Sequence, residues 1–282
     1  MKIIECPRDA MQGIEQFIPT SEKVRYINQL MKVGYDTIDA GSFVSAKAIP
    51  QMKDTAAVLD QLVRGSSKSK ILAIVANSRG ATEACQHKAV THLGFPLSLS
   101  ETFQQRNTNK SIAEALNSLN EIQDTCVATG RMLVTYISMG FGNPYGDPYD
   151  VEVVGKFVDI LSTMDIGIVS LADTIGVSQP EQIRYLFTHL TKDFPEVELG
   201  AHLHSHPAKA AEKINAALDA GCQRFDGAIK GYGGCPMAED KLVGNLATET
   251  ILSCIEARGL AHNLNQAAFN EAVRMADEIF KP

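Results

Sequence analysis

The alternation of short β-type runs with longer stretches of helical period constrains the fold of this chain more than any other feature. The first unit has a run at Ile3–Glu5, a helix start in the segment Pro19-Thr20-Ser21-Glu22, and Gly34 as a stop. Eight strands each followed by a helix predict a (β/α)8 TIM barrel, with an open doubly wound sheet as the alternative. The seven further runs lie near Tyr35–Asp39, Ile71–Val75, Val90–Phe95, Met132–Ser138, Ile168–Leu171, Val197–Leu203 and Gln223–Asp226.

The composition is that of one ordinary globular protein. At 282 residues, 45% hydrophobic and 21% charged, the chain can bury a core without disulfides, and no Pro-, Gly- or Ser-rich linker divides it. We therefore expect a single catalytic domain over residues 1–282. The helical pattern after about residue 246 predicts additional C-terminal helices that pack as an appendage.

Charge and hydropathy exclude several classes of function. With 33 acidic and 26 basic residues the net charge is −7, so nucleic acid is not an expected partner. No apolar run reaches the length of a membrane span, and charged residues interrupt the N-terminus before a signal-peptide core could form. A transit peptide and a peroxisomal ending are also missing. We expect a cytoplasmic protein with reduced cysteines and no membrane partner.

Unusual polar residues collect where the predicted strands end. Active sites of such barrels are built at the C-terminal ends of the strands and in the loops that follow. We therefore expect these side chains to share one site. They are Arg8 and Asp9 after the first run, Asp39 at the second, Asp173 after the sixth, His202 and His204 at the seventh, and Cys235 in the glycine-rich loop after the eighth.

The pair His202 and His204 has the spacing of metal ligands on a strand. Residues two apart on a strand point the same way, so both imidazoles would face the barrel mouth. Asp9 is the natural carboxylate partner, and a mixed nitrogen and oxygen set suits Mg²⁺ or Mn²⁺. The alternatives are ordinary hydrogen-bonded histidines and an Asp9 that caps a helix or loop. His206 precedes Pro207 and is expected in the loop.

Two further features have both a chemical and a packing interpretation. In the first interpretation, the guanidinium of Arg8 is a fixed fork of donors that holds a carboxylate or a developing oxyanion. In the second, Arg8 is a surface cation that pairs with Glu5 or Asp39. The loop Gly231-Tyr232-Gly233-Gly234-Cys235-Pro236 suits a mobile lid whose thiol could transfer a proton. The thiol could equally be a small packed group.

Taken together, these segments resemble the hydroxymethylglutaryl-CoA lyase family, within the wider group of metal-dependent TIM-barrel lyases and synthases. The resemblance is collinear over almost the whole chain. It is carried by Glu5-Cys6-Pro7-Arg8-Asp9-Ala10-Met11-Gln12, Ser42-Phe43-Val44-Ser45, Ser100-Glu101-Thr102-Phe103, Asp173-Thr174-Ile175-Gly176, His202-Leu203-His204, Gly233-Gly234-Cys235-Pro236 and Gly244-Asn245-Leu246-Ala247-Thr248-Glu249.

The resemblance implies an activity: cleavage of 3-hydroxy-3-methylglutaryl-CoA to acetyl-CoA and acetoacetate with a divalent metal ion. It also implies an acyl-CoA substrate and a homodimer. Arg8 would neutralise the developing thioester enolate, and Cys235 would transfer a proton from the lid. The other implied assignments are Asp9, His202, His204 and Asn245 as metal ligands, Asp39 and Asp173 as catalytic acidic residues, and Arg8, Gln12 and Ser42 as substrate-binding residues.

Some positions depart from the common family pattern. Asp39 stands where Glu is usual, which shortens the reach of the carboxylate by one methylene. Ala10-Met11 replaces Gly-Leu, Ser205-His206-Pro207 follows the histidine pair, and one extra residue separates Cys235 from Asn245. These changes bear on acyl specificity and on the role of residue 39. The alternatives are an aldolase or acyl-CoA synthase of the same group, and a non-catalytic barrel that binds a metal or acyl-CoA.

Overall fold

Eight parallel strands in chain order form a closed barrel, which confirms the predicted TIM barrel. The structure is a computed structural model that describes residues 1–234 and 243–280. The barrel closes because β1 pairs with β2 on one side and with β8 on the other. The strands are β1 (Lys2–Glu5), β2 (Thr37–Ser42), β3 (Lys70–Ile74), β4 (His92–Ser98), β5 (Met132–Ser138), β6 (Ile168–Asp173), β7 (Glu198–Leu203) and β8 (Arg224–Gly227).

Eleven α-helices occur among the described residues. They surround the barrel and connect its strands, with short 3₁₀ turns at Pro50–Met52 and Ile229–Gly231. The helices are α1 (Pro7–Gln12), α2 (Thr20–Val33), α3 (Thr55–Asp60), α4 (Ser78–Gln86), α5 (Glu101–Thr108), α6 (Ile112–Thr129), α7 (Val151–Thr163), α8 (Pro180–Asp193), α9 (Pro207–Asp219), α10 (Thr248–Ala257) and α11 (Gln266–Ile279).

Local sequence explains where the helices begin and end. In α6, Ser111 and Glu114 form a reciprocal capping box, and Gly130 ends the helix in the left-handed conformation. The predicted stop at Gly34 is confirmed, since this residue ends α2 with φ +87°. In these two helices the end residues therefore suit the backbone groups that the helix leaves unsatisfied.

Strand β2 is displaced from its predicted position by a bulge. The run Tyr35–Asp39 predicted the strand, but it extends from Thr37 to Ser42, and its register with β3 shifts between Asp39 and Gly41. A Cβ atom at Gly41 would lie 2.5 Å from Cγ2 of Thr55, so only glycine allows this contact with α3.

The two C-terminal helices pack in different places. Helix α10 lies beside α9 and against β8, in the position of the eighth barrel helix, whereas α11 packs on α2. Gln29 donates a hydrogen bond of 2.9 Å to the carbonyl of Ala268, and the amide of Asn265 donates to the carbonyl of Val33. Within residues 1–234 and 243–280, none of the helices has the length and apolarity to span a bilayer.

The end of the barrel opposite the site is filled by charged side chains. Arg224 is buried, and its Nη1 atom lies 3.2 Å from Oε1 of Glu198. Lys2 pairs with the same Glu198, and Lys70 pairs with Asp36. Beneath the site the barrel is therefore a packed interior.

Candidate active site

A cavity of about 200 Å³ lies at the C-terminal ends of the strands. One part of its lining is polar and includes two histidines, an arginine and a carboxylate, whereas the remainder is mainly apolar. The polar part includes Arg8, Asp9, Gln12, His202 and His204, and the other polar lining residues are Asn107, Thr108, Ser138 and Thr174. The apolar wall includes Val44, Ile49, Ile74, Pro96, Phe103 and Tyr136.

Asp9, His202 and His204 converge in this cavity. Each offers one ligand atom, and these atoms lie within 4.8 Å of one another. Asp9 comes from α1, which directly follows β1, while His202 lies on β7 and His204 just after it. The sequence analysis expected Asp9 just after the first strand, and the structure places it there, on a short helix that begins at Pro7. The three side chains form a group that could hold a metal ion.

His204 has the properties of a ligand without its metal. It is buried, and neither ring nitrogen makes a hydrogen bond of normal geometry among the described residues. Burial lowers the pKa of His204 to about 4, and nearby His202 acts in the same direction, so the ring is neutral at pH 7. A buried neutral imidazole without a partner is costly unless something binds it, which fits a metal site.

Asp226, which our sequence analysis did not single out, supports His202. Its Oδ2 atom lies 3.1 Å from Nδ1 of His202. Burial would lower the pKa of His202, but Asp226 raises it above the ordinary value. A second candidate group, Cys6 with His202 and Asp226, shares this pair. Burial raises the pKa of the Cys6 thiol well above normal, so Cys6 is a poor metal ligand and the group with Asp9 fits better.

Asn245 lies against Asp9, as the resemblance implied. Its amide nitrogen donates to Oδ2 of Asp9 at 2.6 Å and to the carbonyl of Tyr232 at 2.9 Å, and its backbone bridges to that of His204. Burial would raise the pKa of Asp9, but Arg8 and the two histidines hold it below its ordinary value. Asp9 is therefore an anion, as a metal ligand must be.

The side chain of Arg8 is largely buried at the edge of the cavity, where hydrogen-bond acceptors of three residues surround it. Its Nε and Nη2 atoms donate to Oδ2 of Asp39 at 2.9 and 2.6 Å, and its Nη1 atom donates to Asp9 and to Gln12. Burial alone would lower the pKa of Arg8, but Asp39 and Asp9 raise it above its ordinary value. The guanidinium is a fixed cation that pairs with Asp39, as the second interpretation expected, but it lines the cavity and is not on the outer surface.

Asp39 has one oxygen that is not used by Arg8. Its Oδ1 atom is buried and makes no hydrogen bond among the described residues. Burial raises the pKa of Asp39 to about 6, although Arg8 opposes the shift. The carboxylate therefore combines a raised pKa with an unpaired oxygen, which is typical of groups that exchange protons.

The remaining predicted residues differ in their relation to the cavity. Gln12 lines it and donates to Oδ1 of Asp9 at 2.6 Å. Ser42 is buried at the end of β2, where its hydroxyl accepts a bond from the amide of Val44. Cys235 lies outside the described residues. The glycine-rich segment that leads to it packs closely against α1, since a Cβ atom at Gly233 would lie 2.5 Å from the carbonyl oxygen of Asp9.

Asp173 lies behind the cavity wall. Its neighbours Ala172 and Thr174 line the cavity, and Asp173 is not among the lining residues. Its oxygens accept bonds from the amides of Val177 and Ser178, the hydroxyl of Ser178 and the ammonium of Lys213. Alternation along the strand accounts for this orientation. Lys213 was also not singled out by the sequence analysis.

Comparisons with known proteins agree with this geometry. Residues 2–276 match the HMGL-like family. The chain is 31% identical to the hydroxymethylglutaryl-CoA lyase YngG of Bacillus subtilis over 272 residues, which cover 96% of this chain and 90% of that protein. It is 32% identical to the mitochondrial hydroxymethylglutaryl-CoA lyase of Bos taurus over 275 residues, or 96% and 83% of the two chains.

Solved structures of such lyases share the whole fold. The crystal structure of the Bacillus subtilis HMG-CoA lyase superposes with a TM-score of 0.92 at 31% identity and covers 99% of this chain and 93% of that one. The HMG-CoA lyase of Acinetobacter baumannii, in complex with coenzyme A and 3-methylmalate, has a TM-score of 0.92 at 29% identity, with 99% and 91% covered. This chain belongs to the hydroxymethylglutaryl-CoA lyase family.

Proposed function

We propose that this protein is a carbon–carbon lyase that cleaves 3-hydroxy-3-methylglutaryl-CoA to acetyl-CoA and acetoacetate. Family membership over nearly the full chain supports the activity. The observation that carries the proposal is the buried group of Asp9, His202 and His204 beside the guanidinium of Arg8. This arrangement suits a reaction in which an alcohol loses a proton and a thioester enolate departs.

The metal-binding part of the proposal rests on the chemistry of the donor set. Asp9, His202 and His204 would hold a divalent ion, with Asn245 as the fourth protein ligand. Two imidazoles with carboxylate and amide oxygens favour Mg²⁺ or Mn²⁺ over thiolate-bound zinc. When bound, such an ion acidifies the hydroxyl group of the substrate.

Arg8 is assigned to the developing enolate. Its bonds to Asp39, Asp9 and Gln12 use four of its five N–H groups and fix the plane of the guanidinium. The fifth, on Nη2, would donate to the thioester oxygen as negative charge develops there. A preorganised charged donor of this kind stabilises the transition state without reorientation during the reaction.

Neither Asp39 nor Asp173 is among the residues that line the cavity, but Asp39 contacts the lining residue Arg8 and is the better supported base for the hydroxyl proton. Its Oδ1 atom is unpaired within the described part of the chain, and burial raises its pKa to about 6. Both oxygens of Asp173, in contrast, already accept hydrogen bonds. Cys235 remains the predicted donor of the proton to the enolate carbon, and Gln12 and Ser42 remain predicted substrate-binding residues. A homodimer is also proposed from the family resemblance, and the cytoplasmic location stays a prediction from the sequence.

The decisive experiment is a product assay. Protein loaded with Mg²⁺ or Mn²⁺ is incubated under reducing conditions with 3-hydroxy-3-methylglutaryl-CoA, and acetoacetate is measured beside a His202→Ala control. We expect acetoacetate from the parent and a loss of at least about 100-fold in the control. Tight substrate binding without product would favour a non-catalytic binder. Cleavage of another acyl or keto acid alone would favour an aldolase.

A further inference from the structure

Helix α9 carries a buried lysine that contacts the site from behind. The ammonium of Lys213 donates to Oδ2 of Asp173 at 2.7 Å, to the carbonyl of Gly176 at 2.9 Å and to the carbonyl of His204 at 2.9 Å. We propose that Lys213, held by Asp173, is a positioning residue that fixes His204 for the bound cation. The inference rests on the proposed metal site and adds a role for two residues behind it.

The three contacts use the whole bonding capacity of the ammonium. A lysine has three N–H donors, and each meets a different acceptor. The side chains of Lys213 and Asp173 are 4% and 0% exposed, so water does not compete for these bonds. Both charges are desolvated, and each is stable there only because of the other. The pair is therefore rigid, which a positioning role requires.

Asp173 is held as firmly as the lysine. Its Oδ1 atom accepts from the amide of Val177 at 2.8 Å, and its Oδ2 atom accepts from the hydroxyl of Ser178 at 2.5 Å. These bonds tie the end of β6 to the segment that leads into α8. With its oxygens committed behind the cavity wall, the carboxylate acts on the site through Lys213.

The backbone of His204 is the part of the ligand group that Lys213 controls. Its carbonyl accepts the lysine bond, and its backbone pairs with that of Asn245, another proposed ligand. Gly176 adopts φ +72°, and a Cβ atom there would lie 3.4 Å from the His204 carbonyl oxygen, so the turn packs closely on the ligand. Neither ring nitrogen of His204, in contrast, makes a hydrogen bond of normal geometry among the described residues. Its position therefore depends on its backbone.

The test measures Mn²⁺ binding to the metal-free protein by calorimetry, so that it does not depend on turnover. The variant Lys213→Met/Asp173→Asn removes both charges together and avoids a lone buried carboxylate. The matched control is Lys23→Met/Asp54→Asn, a second buried lysine–aspartate pair, joined at 2.6 Å, that is outside the cavity lining. Circular dichroism confirms that each protein is folded at the temperature used.

We expect Mn²⁺ affinity to fall by about 10- to 100-fold in the Lys213/Asp173 variant, the range typical when partners of metal ligands are removed. The control pair should change it by less than about twofold. Equal affinity in parent and variant would overturn the positioning role, whereas a parent that binds no Mn²⁺ would overturn the proposed metal site instead. If the double variant does not fold, the Mn²⁺ affinity and the kcat of the single variant Asp173→Asn are measured instead. A kcat loss at saturating Mn²⁺ with unchanged Mn²⁺ affinity would then show direct catalysis by Asp173 and reject the proposal.

Discussion

Atom Nδ1 of His202 lies 3.1 Å from atom Oδ2 of Asp226, across the paired strands β7 and β8. A carboxylate oxygen accepts a hydrogen bond, so Nδ1 carries the ring proton and Nε2 is left as the ligand atom. The side chain of Asp226 is 0% exposed, and the pair is therefore shielded from water. This relationship fixes which nitrogen of His202 faces a cation.

Replacing Asp226 with asparagine should disturb His202. The Asp226→Asn side chain no longer favours the proton on Nδ1, and we expect Mn²⁺ affinity to fall by about 10- to 100-fold. Calorimetric titration of the metal-free variant measures this directly. Asp36→Asn, at the opposite end of the barrel, is the control. Unchanged affinity in Asp226→Asn would contradict the assignment of Nε2 as the ligand atom.

Metal removal should lower both activity and stability. Chelation should abolish acetoacetate formation, and Mn²⁺ should restore it. An ion present at 100 times its dissociation constant adds about 2.7 kcal/mol to the free energy of unfolding, so the melting temperature should rise by several degrees. Differential scanning calorimetry measures the rise. The same rise in a His204→Ala variant would place the ion elsewhere.

The guanidinium of Arg8 should matter more for turnover than for substrate binding. In Arg8→Lys the cation remains but the fork that contacts Asp39 is lost, and we expect kcat to fall by about 10²- to 10³-fold. Steady-state kinetics separate this fall from a change in KM. Arg25→Lys, on an exposed arginine paired with Glu22 and Glu278, should behave as the parent. A change in KM alone would assign Arg8 to ground-state binding.

Loss of the thiol at Cys235 should slow protonation of the enolate. General acid catalysis contributes about 10²- to 10⁴-fold, so Cys235→Ala should lower kcat within that range while Mn²⁺ affinity stays constant. Turnover under reducing conditions is the measurement. Full activity in this variant would remove Cys235 from the mechanism and shift the evidence towards an aldolase.

His92, near the charged end of the barrel, should make the protein sensitive to acid. Burial lowers the pKa of His92 to about 4, from an ordinary value near 6.5. Between these values the unfolded chain binds the proton more readily, so stability is lost as pH falls through the window. The loss from pH 7 to pH 5 is about 2 kcal/mol. Urea unfolding of parent and His92→Gln should show a smaller loss in the variant; equal losses would contradict the shift.

The sequence predicted the barrel because burial on both sides makes parallel strands visible as apolar runs. Met132–Ser138 has the predicted bounds, since the strand is apolar and β-branched up to its polar end. Short elements were harder to predict. Helix α1 has only six residues, too few for a helical period, so the sequence placed Arg8 and Asp9 after the first strand without predicting the helix that carries them.

The site could be predicted only where spacing carries information. His202 and His204 are two apart on a strand, and the spacing alone brings them to one side. Asp226 also ends a run predicted from the sequence, as Asp39 does, and this shared position was the available signal for it. Lys213 gave no signal, because a lysine on a helix normally lies in solvent and only the tertiary fold reveals its burial. The single domain over residues 1–282 stays a prediction.

The buried side chain of Arg224 fills the barrel below the ligand group, where it packs against Gly200. Within the described part of the chain, packed side chains consequently close the cavity on the side that faces the barrel interior. In the proposed reaction, we expect the acyl group of the substrate to enter the cavity before the CoA moiety, which would lie nearer the opening. If the acyl part of the substrate lies nearest this closed end, we expect acetoacetate to leave after acetyl-CoA.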